Sequence, residues 1–370
     1  MRTPALLLGL LLSAVGFASE AVLAPFVERG ELAGAVALVA NKDKVLSVTT
    51  VGFADMDAKK PMTADAVFWI ASQSKGITAA AVMMLVDEGK LSLDDPVEKY
   101  LPEFKDQKVA AGKGAPVARV RSVTIRDLLS HVSGLPFKSA EEQPTLDGLA
   151  LAEAVKTYAK VPLVTQPGTH YQYSNAGINT AARVLEVVSG MAYEDFMDKR
   201  LFGPLGMKDT TFWPDAAQVA RLAKTYKPDA AKKGLVAGGL NQLKPDLTDR
   251  ARRFPMPAGG LFSTAKDVAI FCRMLLNGGE LDGKRYLSAA SLKELSSRQT
   301  PKELKESYGL GFAVGLDFFG HGGAQATGME VRTKDGLVIV WMVQHQGFPG
   351  RGGHAQGEFK KWAVKEYAGR

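Results

Sequence analysis

Strand patterns stand at both ends of this chain and helical patterns fill its middle. Residues 34–53 (GAVALVANKDKVLSVTTVGF) read as two strands joined by a turn at Asn41–Lys44. Strand patterns return in YGLGFAVGLDFFG, GMEVRT and LVIVWMVQH, with Lys334-Asp335-Gly336 as the hairpin turn between the last two. An isolated hairpin is marginal in water, so the two ends are expected to share one sheet. Between them, residues 70–89 (IASQSKGITAAAVMMLVDEG) are apolar nearly all round and predict a buried helix that stops at Gly89. VTIRDLLSHVSGLP, AGINTAARVLEVVSGMAYEDFMDKRLF and TAKDVAIFCRMLLNGG continue the helical stretch, and an amphipathic helix around 355–367 closes the chain. Residues 225–258, rich in Lys, Pro, Gly and Asp, read as a long surface loop. The expected class is α/β of the α+β type. An antiparallel sheet from 19–70 and 260–370 carries flanking helices, and a mostly helical part covers 71–259.

Composition narrows the function classes. With 370 residues, 46% hydrophobic and 23% charged, the chain can bury a large core and is neither disordered nor fibrous. Its one cysteine, Cys272, excludes an internal disulfide and a multi-cysteine zinc site, and sits in the apolar run FCRMLL as a core residue. The net charge of +7 is spread along the chain without the clustered stripe that nucleic acid requires. The five histidines, 131, 170, 321, 345 and 354, lack metal-ligand spacing. The chain opens with Arg2 and an apolar run, Ala5–Phe17, which is shorter than the ~20 residues that span a bilayer. This reads as a signal peptide cleaved after Ala18, with export to the periplasm or medium and no membrane span afterwards.

The chemistry must come from a different motif than the common ones. G-x-S-x-G, H-E-x-x-H, a P-loop and an EF-hand loop are all absent. S-x-x-K occurs twice, as Ser72/Lys75 and Ser263/Lys266. Three residues apart on a helix, serine and lysine share a face, and a lysine of lowered pKa can take the serine proton. Ser263 opens a helix after Gly259-Gly260, and a helix cap explains it. Ser72 enters a buried helix from VFWIA, where a solvated lysine at 75 is unexpected, and the helix start favours a developing alkoxide. Tyr173-Ser174-Asn175 is the only Y-x-N; its tyrosine can relay protons, and alone the segment also reads as a helix-capping loop. His321-Gly322-Gly323 precedes the strand ATGMEVRT, and alone reads as a turn.

In this order the three motifs resemble the serine β-lactamase and penicillin-binding-protein superfamily, in its class C-like branch with family VIII carboxylesterases and D-amino-acid peptidases. The resemblance runs through FWIASQSKGITAAAVMMLVDEGKLSLDDPVEKYLP, TIRDLLSHVSGLP, the PLGM-x-x-T run and PAGGLFSTAKDVAIFCRMLLNGG. It implies a β-lactamase/transpeptidase-like fold. It also implies Ser72 as the acylated nucleophile, Lys75 as its base or relay, and Tyr173 as the third member of the network. Asn175 would touch the acyl side. His321-Gly322-Gly323 takes the third motif's place, and the oxyanion hole would be the backbone N–H groups of Ser72 and Ala324. His131 would hold a loop, and His345 stands near enough in sequence to a strand end to be a binding candidate. No cofactor or metal is implied, and the partner is a small ester or peptide. β-Lactamases and many peptidases of the superfamily carry a lysine where His321 stands, which helps hold a substrate carboxylate. The histidine therefore tilts the expectation to an esterase. A D-stereospecific peptidase or β-lactamase is the alternative, and a non-catalytic cell-wall-binding member the second. The sequence carries no signal for oligomeric state.

Overall fold

A computed structural model describes residues 19–369; the expected signal peptide and its cleavage point lie outside the described residues. The two ends of the chain do share a sheet. Its strands are β1 (Gly34–Ala40), β2 (Val45–Asp55), β3 (Lys60–Pro61), β4 (Ala313–Val314), β5 (Phe319–Gly322), β6 (Gly328–Arg332) and β7 (Leu337–Met342). They run in the order β4-β5-β6-β7-β1-β2-β3, every pair antiparallel. The chain's ends meet at the centre, where Val36 faces Met342 and Val39 faces Ile339 across β1 and β7.

All seven residues of β1 are buried, because helices cover both faces. Its residues alternate between two cores. Ala35, Ala37 and Val39, with Ile339 and Trp341, pack on the helix at 19–28 (α1) and on Ala355–Tyr367 (α5) through Leu23, Phe26 and Phe359. Val36, Leu38, Val338 and Val340 face the larger core, with Val268, Phe271 and Cys272 of α4 (Ala265–Leu276). Cys272 is thus a core residue, its thiol raised by burial.

The helix α2 (Ser74–Asp87) runs through this larger core, buried from Ser74 to Leu85. α3 (Asn175–Ser189) packs against it. Gly89 takes φ +66° just past the end of α2, as its stop predicts. No helix among the described residues is long and apolar enough to cross a membrane.

Three expectations need correction. The run YGLGFAVGLDFFG is mostly not strand: only Ala313–Val314 and Phe319–Gly322 are strand, and Tyr308 makes a single bridge to Ala313. Gly311 takes φ +74° and lies so close to α2 that a Cβ there would sit 2.6 Å from the Lys75 carbonyl, which breaks the alternation. Thr264, not Ser263, caps α4 by accepting from Asp267 N–H, and Ser263 pairs as strand with Phe68. Residues 225–258 are not a plain surface loop. They contain a hairpin, Tyr226–Pro228 with Leu235–Ala237. Their end is fastened by Arg253, whose Nε donates to Asp147 at 2.7 Å with both side chains almost fully buried. Asp147 also accepts from Lys244 N–H at 3.0 Å, so the pair ties two otherwise irregular segments together. Breaking a buried pair strands the remaining charge, at a cost of about 3–5 kcal/mol. Arg253→Ala is expected to lower the unfolding free energy by that amount in urea titration. A change under about 1 kcal/mol, the range of an exposed pair, would mean that the pair is not buried in solution.

Candidate active site

The first feature of the site is a bent entry into α2. Ala71 takes φ +46°, a left-handed conformation that costs a non-glycine residue about 1–3 kcal/mol. It opens the single turn Ala71–Gln73 that carries Ser72. The surroundings hold this turn: Ser74 Oγ donates to the Ala71 carbonyl at 2.6 Å, Ile70 N–H to Leu261 at 3.0 Å, and Trp69 Nε1 to Gly259 at 2.7 Å.

Lys75 lies one turn on, buried, with its amine 3.0 Å from Ser72 Oγ. The amine donates to the Ala258 carbonyl at 2.7 Å and sits 4.7 Å from the centre of the Tyr173 ring. Among the described residues no carboxylate pairs with it. Desolvation therefore holds Lys75 well below the ordinary lysine range. Tyr173 moves the other way: burial raises its phenol to about 12, partly offset by a hydrogen bond with Ser72. At neutral pH the serine hydroxyl thus meets an amine that can be uncharged and a phenol that keeps its proton. Such a pair can take a proton from serine and return it to a leaving group.

Local structure explains how Tyr173 reaches this place. Ser174 caps α3 by accepting from Gly177 N–H at 2.9 Å and donates to Pro136 at 2.6 Å. His131, buried at φ +62°, accepts from Ser174 N–H on Nδ1 at 3.2 Å and from Gln172 N–H on its carbonyl at 2.8 Å. Its ring packs 4.6 Å from Tyr173 and 4.7 Å from Tyr308. The histidine that was expected to hold a loop fastens the segment carrying Tyr173.

The other wall comes from the end of β5. Gly322, Gly323 and Ala324 line a cavity of about 320 Å³ together with Ser72, Tyr173 and Asn175. Its remaining wall is largely apolar, from Trp69, Phe137, Leu146 and Met256. Gly323 passes so close to the bent entry that a Cβ there would lie 2.4 Å from the Ile70 carbonyl and 2.2 Å from Thr327 Oγ1. Gly323→Ala must push Ala324 away from Ser72. It is expected to lower kcat/KM on the order of 100-fold while the far-ultraviolet circular dichroism is kept. Unchanged kinetics would show that this approach is not needed.

Asn175 Oδ1 is buried at this cavity with no hydrogen-bond partner. His321 does not line it; its ring stands behind Tyr173, 6.1 Å centre to centre. Its Nε2 meets Tyr308 Oη at 2.9 Å and its Nδ1 the Gly322 carbonyl at 2.6 Å. A carbonyl only accepts, so Nδ1 carries the proton and Nε2 accepts from the tyrosine. Desolvation first, and the Lys75 charge second, push His321 down to about 3, so the ring is uncharged at neutral pH.

Two other residues are placed elsewhere. His345 is buried, accepts from Ala33 N–H on Nε2 at 3.2 Å and stacks on Phe348; it does not reach the cavity. A strand end in sequence is not a cleft in space. Lys334-Asp335-Gly336 forms the turn between β6 and β7, with Gly336 at φ +67°. Sequence reasoning missed Asn179 and Tyr308. Asn179 Oδ1 accepts from Ala258 N–H at 3.0 Å and so sets the carbonyl that holds Lys75. Its only signal was an amide on the buried face of an apolar helix.

Comparison with known proteins identifies the family. The family described as Beta-lactamase matches residues 20–358, and the chain belongs to that family. Esterase EstB of Burkholderia gladioli is 32% identical over 272 residues, 67% of each chain. Penicillin-binding protein 4 of Amycolatopsis lactamdurans is 32% identical over 292 residues, 75% of this chain and 72% of the relative. The solved structure of EstCE1, a hydrolase with promiscuous acyltransferase activity, superposes at TM-score 0.78 and 24% identity over 94% of this chain and 97% of its own. The protein is a serine hydrolase of the β-lactamase family with a β-lactamase/transpeptidase-like fold.

Proposed function

We propose that this chain is an exported carboxylesterase-type hydrolase that forms an acyl-enzyme on Ser72. Lys75 takes the serine proton as a neutral amine, and Tyr173 delivers a proton to the departing oxygen. The Ser72 and Ala324 N–H groups receive the oxyanion, and Asn175 Oδ1 meets the acyl portion. A water activated by the same Lys75–Tyr173 pair then releases the acid. Export rests on Arg2 and the apolar run after it.

The observation that carries the choice of ester is charge. Among the described residues no lysine or arginine lines the cavity around Ser72; the Lys75 amine behind the serine is held toward its neutral form, and His321, beside it, is uncharged. A β-lactam or a D-Ala-D-Ala peptide brings a carboxylate that would lose water without gaining a cation, which is costly. A neutral ester brings none. Similarity to EstB supports this reading; similarity to penicillin-binding protein 4 supports a peptidase instead. The test is turnover of p-nitrophenyl butyrate, nitrocefin and a D-Ala-D-Ala peptide side by side. Dominant ester turnover is expected. Dominant peptide or nitrocefin turnover would overturn the assignment and mean that uncharged His321 suffices beside a carboxylate.

A further inference from the structure

A second cavity adjoins the first and has a different chemistry. It holds about 400 Å³ and is lined by Tyr171, Tyr173, Tyr308, His321, Glu306 and Gly322 among others. Tyr173 and Gly322 line both cavities, so the two meet at the edge of the reacting centre. Ser72 and Ala324 line only the first. On the reading of the site given above, the acyl carbon and its oxyanion therefore occupy the first cavity. The departing oxygen must reach the Tyr173 hydroxyl, which directs the rest of the leaving group toward the second.

The walls of that second space favour one charge. The rings of Tyr171 and Tyr308 lie 5.8 Å apart at 53°, and that of His321 stands 6.0 Å from Tyr308 at 86°. No lysine or arginine is among its lining residues, and Glu306, at the exposed rim, supplies the one carboxylate. Among the described residues Glu306 forms no ion pair. Its charge also reaches Tyr171, whose phenol it helps to raise beyond what burial does. Aromatic faces and an unpaired carboxylate attract a cation and repel an anion.

We infer that the second cavity, built from Tyr171, Tyr308 and Glu306, is a subsite for a cationic leaving group, such as the ammonium of an amino-alcohol ester. In acylation the Ser72 Oγ–acyl carbon bond forms as the ester C–O bond breaks. The serine proton ends on the departing oxygen, so the ammonium leaves unchanged on its alcohol.

The test compares butyrylcholine with its uncharged isostere, 3,3-dimethylbutyl butyrate, by acid release at constant pH. Both carry the same acyl group and leaving-group shape. Two weak cation–π contacts and one rim carboxylate predict a preference of about tenfold in kcat/KM for the cation. The preference is expected to shrink severalfold in Glu306→Gln and in Tyr171→Leu, and to fall with added salt. The ratio of the two esters within each variant cancels any general loss of activity. Equal rates on both esters, or a ratio unmoved by Glu306→Gln, would overturn the subsite and leave the esterase reading intact. If neither ester is turned over while p-nitrophenyl butyrate is, the subsite falls and the esterase reading stands; if none of the three is turned over, both fall.

Discussion

With alanine at position 72, turnover of p-nitrophenyl butyrate falls on the order of 10⁴-fold or more, and no acyl adduct appears by mass spectrometry. The parent enzyme, quenched during turnover, carries the butyryl mass on the peptide containing Ser72. The expectation is this large because, among the described residues, Ser72 is the one hydroxyl that meets both the Lys75 amine and the Tyr173 phenol. Its alanine variant keeps the fold: the bent turn is held by Ser74, Ile70 and Trp69, none of which uses the Ser72 side chain. An unfolding midpoint close to the parent's therefore accompanies the loss. Ester turnover retained by Ser72→Ala would remove Ser72 from the mechanism and direct attention to another hydroxyl.

Lys75→Arg is expected to be almost as damaging as Lys75→Ala, each costing about 10²–10⁴-fold in kcat/KM. Arginine keeps the positive charge but cannot give it up, so a role as ammonium would tolerate the change better than a role as base. The pH profile separates these roles. The competent form is the neutral amine, so kcat/KM rises with pH as Lys75 loses its proton. Burial without a carboxylate partner holds that transition well below the ordinary value of 10.5. The plateau then extends toward the ionisation of Tyr173 near 12, where the phenol ceases to donate. A profile that instead falls as pH rises through the neutral range would show that the protonated amine is the working form.

Much of this was visible before folding. The short apolar runs of 34–40 and of LVIVWMVQH already called for paired strands, and β1 and β7 pair residue for residue. The apolar helix at 70–89 already demanded burial, which makes Lys75 anomalous and therefore informative. Ser72 and Lys75 are close in sequence, so helical spacing alone puts them on one face. Tyr173 was legible only as a motif, because it is about 100 residues away and reaches Ser72 through the packing of α3 on α2.

The remaining determinants belong to tertiary structure. Whether a lysine is a base depends on desolvation, and desolvation is a property of every group packed around it. The Ala258 carbonyl that orients Lys75, and the Asn179 side chain that orients Ala258, lie on separate segments that no spacing rule connects. The uncharged state of His321 follows from desolvation and from Lys75, and its tautomer is matched by Tyr308, 13 positions away on a segment whose strand pattern was misleading. Local pattern reports which elements form and which are buried, so a sheet shared by the two ends, the buried helix and the serine–lysine pair could be read from the chain itself, while the strand order could not. Protonation, the charge of the cavity walls and the division of the cleft into two cavities arise from contacts between distant residues, and became defined only when those residues met.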